Sequence, residues 1–287
     1  MSKITTIAQY LRSTRRVAAA WGYTYTVDQL WLRGHSDAEW SLLPGLYRKN
    51  TMPQYERELV REFRLRAYSR IDPRPTSDLE WLFVMQHHGA VTRLLDWTEI
   101  DLMALYFAVE DEDNRSDGAV WILDPWSLNE HTLEQRSVPV ATDARLRDWV
   151  LDPTPELMVR RVAAALPVAV RPPHGTDRIA AQRGMFTLHG WKRTSLDAIP
   201  GFKIQKLVID RSAKRRLKKE LHVSGTTTAT VFPDMDGLAH ALTYQFSRQY
   251  TAVSISKTAG RNRPNRRRSG KKNWSQTASL DGPANSR

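Results

Sequence analysis

Between residues 86 and 98 the chain reads QHHGAVTRLLDWT, and no other segment constrains the fold as tightly. It gathers an amide (Gln86), two imidazoles (His87, His88), a hydroxyl (Thr92), a guanidinium (Arg93) and a carboxylate (Asp96) beside Leu94, Leu95 and Trp97. A polar group buried without a partner costs roughly 1–3 kcal/mol. A loop this rich in hydrogen-bonding groups beside a core is therefore a site or a set of buried polar staples. His87 and His88 fall in the last turn of a helix predicted to end at Gly89, where the helix dipole favours the imidazolium. Arg93 and Asp96 stand three apart: in a turn they meet as a charge-assisted pair, and in a strand they point to opposite faces. The sequence leaves both arrangements open.

The flanking pattern mixes helices and strands. Gln54–Arg70 repeats Tyr55, Leu59, Phe63 and Ala67 on one stripe and predicts a helix. Ser77 and Glu80 form a capping box that starts the helix ending at Gly89, and residues 98–101 resemble a second helix start leading into Leu102–Val109. Gln29–Arg33, Ala119–Leu123, Met185–Leu188, Lys206–Ile209 and Thr228–Phe232 read as strands. Leu151–Leu166, Ser212–His222 and Asp236–Arg248 read as helices, and the Pro-rich Leu166–His174 as a connector. Without a regular βαβ alternation the expected fold class is α+β, a single mixed domain over residues 1–255.

Two more segments share the polar character of residues 86–98. WLRGH (Trp31–His35) sets Arg33 and His35 at a strand end beside Gly34, and an arginine there reaches a phosphate or carboxylate bidentately. The competing reading pairs Arg33 with an acid such as Glu58 or Glu62. RIAAQRGMFTLH (Arg178–His189) offers Arg178, Gln182, Thr187 and His189 around a turn; Gln182 suits an amide or ribose edge, or satisfies buried backbone. No GxGxxG after a strand, Walker loop, HExxH or GxSxG is present, and the context of His35 and Glu39 argues against a metal face. No metal ligands are therefore assigned. The chain has no cysteine, which excludes disulfides, thiolate metal sites and a cysteine nucleophile.

The net charge of +12 is uneven. Residues 261–287 hold eight Lys and Arg against one Asp, leaving thirty-five basic and thirty acidic residues in 1–260. The tail is therefore +7 and the body +5. Its composition predicts a disordered basic C-terminal tail that binds nucleic acid non-specifically. The basic run Arg211–Lys219 reads as the solvated face of a helix. No apolar stretch approaches a membrane span and no apolar leader opens the chain, so a soluble cytoplasmic protein without a membrane partner is expected.

Taken together, the three polar segments resemble the FRG domain family. WLRGH and LLPGLYR (Leu42–Arg48) are similar to its first motif. QHHGAVTRLLDWT followed by ALYFAV (Ala104–Val109) is similar to its second, and RIAAQRGMFT and FPDMDGL (Phe232–Leu238) to its distal elements. The resemblance spans roughly residues 25–245, with departures at Leu32, His35, His88 and Val91. It implies a protein of a bacterial or phage-associated system with a toxin- or defence-like role. An Arg-Gly at an early strand end is also similar to that of NAD-using ADP-ribosyltransferases, where such an arginine grips the cofactor.

The expected function is thus a nucleotide- or NAD-handling polar cleft, that of a transferase or hydrolase. Its catalytic candidates are His87 and Asp96. Its substrate-binding candidates are Arg33, Gly34, Gln86, Thr92, Arg93, Arg178 and Gln182. Arg33 or Arg93 would bind phosphate, His87 would bind ribose or move a proton, and Asp96 would orient His87 or Arg93. The acid that NAD-using transferases need has three candidates, Glu80, Glu99 and Glu110. The alternative is a non-catalytic nucleic-acid- or partner-binding module whose polar motifs only hold the fold. The enzyme requires these groups to converge in one cleft.

Overall fold

The computed structural model describes residues 2–24, 30–48, 52–113, 115–150, 165–173 and 176–247. The chain divides into two compact units, Met1–Ala241 and Leu242–Arg287. The expected domain end at 255, the basic tail after 260 and most of the helix expected over Leu151–Leu166 lie outside the described residues.

Six strands build one sheet in the first unit: β1 (Trp31–His35), β2 (Leu94–Thr98), β3 (Gly118–Leu123), β4 (Val168–Val170), β5 (Gly184–Leu188) and β6 (Ile204–Ile209). Their order is β4-β5-β2-β1-β3-β6, and every neighbouring pair is antiparallel. Around them lie α1 (Ile7–Ala20), α2 (Gly45–Arg48), α3 (Glu56–Ala67), α4 (Asp78–His87), α5 (Asp101–Val109), α6 (Pro125–Leu133), α7 (Arg147–Val150), α8 (Asp177–Gln182), α9 (Lys214–Val223) and α10 (Thr228–Val231). The fold is α+β, as the mixed pattern predicts.

Both faces of the sheet are covered, which explains why all six residues of β3 (GAVWIL) are buried. On one face Leu32, Val120, Ile122, Leu207 and Ile209 pack with α5 and α9. Further along that face, Leu94, Phe186 and Leu188 pack with Leu79, Leu82 and Phe83 of α4. On the opposite face Trp31, Leu95, Trp97, Trp121 and Leu123 meet Leu42, Leu128 and Leu196. Each large apolar side chain so buried contributes roughly 1.5–3 kcal/mol.

Helix α5 approaches the sheet closely. A Cβ at Gly34 would stand 2.0 Å from the Ala104 carbonyl oxygen and 2.7 Å from the Ala108 nitrogen. One at Gly118 would stand 2.4 Å from the Ala108 carbonyl oxygen. Ala104 and Ala108 are one helical turn apart on one stripe, so helix backbone lies directly on strand backbone. Gly34 sits inside β1 rather than ending it, because β3 pairs with all five residues from Trp31 to His35.

Other expectations need correction. Residues 94–98 are a central strand, not a loop; Leu94 and Leu95 serve opposite faces, so they break the alternation that marks a strand. Thr228–Phe232 is not a strand: Thr227 and Thr230 form a capping box and start α10, their hydroxyls overriding β-propensity. The Leu166–His174 connector contains β4. Helix α1 escapes the hydrophobic reading although Thr6 and Gln9 box its N-terminus. The capping box of Ser77 and Glu80 on α4 and the left-handed turn at Gly89 (φ +80°) are as expected.

The basic run on α9 is not simply solvated. Lys214 is fully buried and donates to the Ser36 carbonyl, while Lys218 donates to the carbonyl of Glu110 at the C-terminus of α5. Arg215 pairs with Asp113 at 2.9 Å, and Arg216 donates to the Thr5 carbonyl. These cations tie down loop and helix-end carbonyls.

The two glycines facing helices predict opposite outcomes. Gly34→Ala forces helix backbone away from the sheet and lowers unfolding free energy by about 3 kcal/mol. Gly184→Ala places its Cβ in ordinary contact, 3.6 Å from Ile179, and leaves stability within about 1 kcal/mol. Urea unfolding of the two variants checks the contrast.

Candidate functional site

Strand pairing between β1 and β2 is restricted to one register pair, Leu32 with Thr98. Next to it, the Arg33 guanidinium bridges the two strands: Nη1 donates to the Asp96 carbonyl oxygen at 2.7 Å and lies 3.6 Å from the Asp96 carboxylate. Nε donates to His35 Nε2 at 2.9 Å. Because an arginine Nε–H always donates, His35 Nε2 carries no proton. The ring is therefore neutral, with its proton on Nδ1. Burial, reinforced by the charge of Arg33, lowers the His35 pKa to about 3. Burial also pulls Arg33 down to about 10, opposed by Asp96, so it remains cationic at neutral pH.

From Asp96 the network continues into α4. Gln86 Nε2 donates to Asp96 Oδ2 at 2.9 Å, and the Thr92 hydroxyl donates to Gln86 Oε1 at 2.6 Å. Thr92 Oγ1 in turn accepts from the Leu94 backbone N–H at 3.1 Å. One chain of hydrogen bonds thus runs Thr92, Gln86, Asp96, Arg33, His35, with Asp96 held from both sides. Its carboxylate is nonetheless 52% exposed.

That carboxylate faces a cleft of about 190 Å³ between the two apolar clusters on the face that carries α4 and α5. Strand residues Gly34, Asp96, Thr98, Gly184 and Phe186 contribute to its lining, together with Phe83, Gln86 and His87 from α4 and Phe107 from α5. Arg178, Ile179 and Gln182 from α8 complete it. Arg178 lies over the Phe232 ring, 4.6 Å from its centroid, and Gln182 Nε2 donates to the Val231 carbonyl at 2.9 Å. His87 makes no hydrogen bond to any described residue. Burial lowers its pKa, helped by His88 and Arg178 and opposed by Asp234. Desolvation thus works against the helix-end dipole, which favours the imidazolium, and holds His87 below the ordinary imidazole range.

Seven of the nine sequence candidates therefore line one cleft: Arg33, Gly34, Gln86, His87, Asp96, Arg178 and Gln182. Thr92 is buried behind Gln86 and acts through it. Arg93 goes elsewhere. Its Nε donates to Glu56 Oε1 at 2.6 Å, its Nη2 bonds the other carboxylate oxygen, and its Nη1 donates to the Trp149 carbonyl at 3.0 Å. Both members of the Arg93–Glu56 pair are largely buried. Arg93 and Asp96 thus take the divergent arrangement, and neither Glu58 nor Glu62 partners Arg33. Among the described lining residues the one carboxylate is Asp96. Glu80 belongs to the α4 cap, Glu99 is buried, and Glu110 ends α5. Sequence reasoning missed the aromatic walls Phe83, Phe107 and Phe186, which periodicity marks only as core, and the coupling of His35 to Arg33.

Among the described residues no group of three or more His, Asp or Glu is placed to hold a metal ion, and no helix is long and apolar enough to cross a membrane. Residues 28–117 match the model of the FRG domain; the match runs from just before β1 to just before β3. It takes in Arg33, Gln86, His87 and Asp96 but not Arg178 or Gln182. No curated protein and no solved structure matches the chain.

Two stability effects follow. Arg93→Met strands the Glu56 carboxylate and costs about 3 kcal/mol, whereas His87→Ala costs less than about 1 kcal/mol; denaturant midpoints separate the two. The buried His35 and His189, both lowered to about 3 by burial, set the pH dependence. Unfolding lets each take a proton below about pH 6.5. Their contribution is therefore complete above that pH and is lost as pH falls toward 3, at ~1.4 kcal/mol per pH unit for each ring. Unfolding free energies measured from pH 7.5 down to 5 decline accordingly, and His189→Gln shallows the slope.

Proposed function

We propose that the cleft binds a small molecule of the nucleotide class, NAD among the candidates, and that the chain acts on it as a transferase or hydrolase. In this reading Arg33 and Arg178 take the anionic part of the ligand. Phe83, Phe107 and Phe186 flank a ring, and Asp96 and Gln182 accept from sugar hydroxyls. The observation that carries it is the pairing of a braced, half-exposed carboxylate with an imidazole that makes no hydrogen bond to any described residue. A carboxylate held by Gln86 and Arg33 is oriented before a ligand arrives. An unprotonated histidine at neutral pH is the form that accepts a proton.

Size adds a constraint. Sites that bury a drug-sized ligand enclose roughly 300–1,000 Å³, so about 190 Å³ takes one ring or one sugar-phosphate, and the rest of a larger ligand extends outward. The nucleic-acid alternative draws less support from the first unit, because Lys214, Lys218, Arg215 and Arg216 on α9 bind protein groups. Binding through residues 261–287 rests on their charge alone. A toxin- or defence-like role fits an enzyme that alters a common nucleotide.

A thermal-shift series with NAD, AMP, ATP, adenosine and DNA and RNA oligonucleotides tests the reading. Saturable stabilisation by one or more nucleotides is expected, rising with ligand concentration as mass action requires. His87→Ala and Asp96→Asn fold with near-native melting temperature and abolish growth inhibition on expression. If no nucleotide shifts the melting curve and both variants melt low, the polar network is structural and the non-catalytic alternative holds.

A further inference from the structure

Arginine carries five N–H donors on a planar fork. In Arg33 the Nε–H is spent on His35 and one Nη1–H on the Asp96 carbonyl. Nη2 has no hydrogen-bond partner among the described residues, although the side chain is only 17% exposed and lines the cleft. An NH₂ group without a protein acceptor, on a side chain this little exposed, is left for water or a ligand oxygen. The edge it presents suits an oxyanion, because a charge-assisted bond is the stronger kind.

What aims that edge is the pair of acceptors behind it. The Asp96 carbonyl belongs to β2 and is held by the sheet. His35 is the side-chain member: it is buried on β1, its register with Ala119 fixes its place, and its ring stands edge-on to Trp40 at 6.0 Å. The contact to Arg33 needs an acceptor, and a protonated or apolar ring offers none. The groups facing His35 are the cations Arg33, Arg48 and Lys206, all of which oppose its protonation.

We propose that His35 is a positioning residue that, as a neutral acceptor, turns Arg33 so that Nη2 docks an oxyanion of the ligand, a phosphate of the nucleotide class. This rests on the reading of the cleft given above for the ligand, while the positioning geometry stands apart from it. Glutamine preserves the device, since its side-chain oxygen accepts from an arginine Nε–H, whereas phenylalanine keeps the ring and removes the acceptor.

The test uses the full chain and three probes: AMP, adenosine and inorganic phosphate. Wild type is expected to bind AMP roughly tenfold more tightly than adenosine, the worth of one charge-assisted contact. His35→Gln keeps that preference and His35→Phe lowers it to what Arg178 alone supplies, with adenosine affinity unchanged in all three. Inorganic phosphate competing with AMP but not with adenosine assigns the contact to the phosphate itself. Nitrogen NMR of the ligand-free protein supplies the independent arm: a coupling across the hydrogen bond joins Arg33 Nε to His35 Nε2, and the Arg33 Nε–H signal stays protected from exchange in His35→Gln but not in His35→Phe. Equal AMP preference in His35→Phe and wild type overturns the proposal. So does a missing cross-bond coupling in the wild-type protein, which decides the matter if His35→Phe fails to fold. If AMP and adenosine both fail to bind while the coupling is present, the positioning geometry stands and the nucleotide reading falls.

Discussion

The structure turns on the contact between α5 and the two glycines of β1 and β3. Ala104 and Ala108 leave no side chain to hold the helix off, and Gly34 and Gly118 leave none on the sheet. The helix axis is thereby drawn closer than ordinary side-chain packing allows. Everything polar is arranged around that approach. Arg33, next to Gly34, ties β1 to β2 where ladder pairing is restricted to one register pair, and the carboxylate it meets opens into the space between α4 and α5. The arginine and the glycine of the early motif therefore solve two different problems. Glycine is there for the helix packed on it; arginine is there for the strand beside it and for the cleft.

The same division of labour runs through the second motif. Residues 86–98 look homogeneous in composition, yet the strand alternation of β2 deals them out to different places. Asp96 joins Gln86 and Arg33 in the cleft. Arg93, just before the strand, leaves for Glu56, and Thr92 stays behind as a buried link. A polar-rich segment can thus line a cleft and staple the fold at once, residue by residue.

How much of this could be read beforehand depended on the range of the interaction involved. Capping boxes act over three residues, so the start of α4 was legible from Ser77 and Glu80. The run AVWIL declared itself as a strand buried on both sides. Strand β2 did not, because Leu94 and Leu95 feed different cores and so hide the alternation. Thr228–Phe232 misled through β-branched residues whose hydroxyls preferred the helix cap. At the site, convergence of three distant segments followed from the cost of burying their polar groups separately. The choice of Glu56 by Arg93, and of Asp96 by Arg33, depended on chain crossings that no local pattern encodes.

The FRG match stops one residue short of β3, and that boundary has a mechanical meaning. Within the matched stretch, β1 and β2 share one register pair, whereas β3 holds β1 along its whole length and β5 holds β2 along all five of its residues. The matched stretch is therefore not a free-standing sheet. Cut out at its own limits, it would expose both of its strands as bare edges, with their ladder donors and acceptors open to any other chain. The remaining strands act as a sheath for it, and the wall of the cleft carrying Arg178 and Gln182 belongs to that sheath. A stretch that cannot shield its own edges depends on whatever pairs with both sides of it.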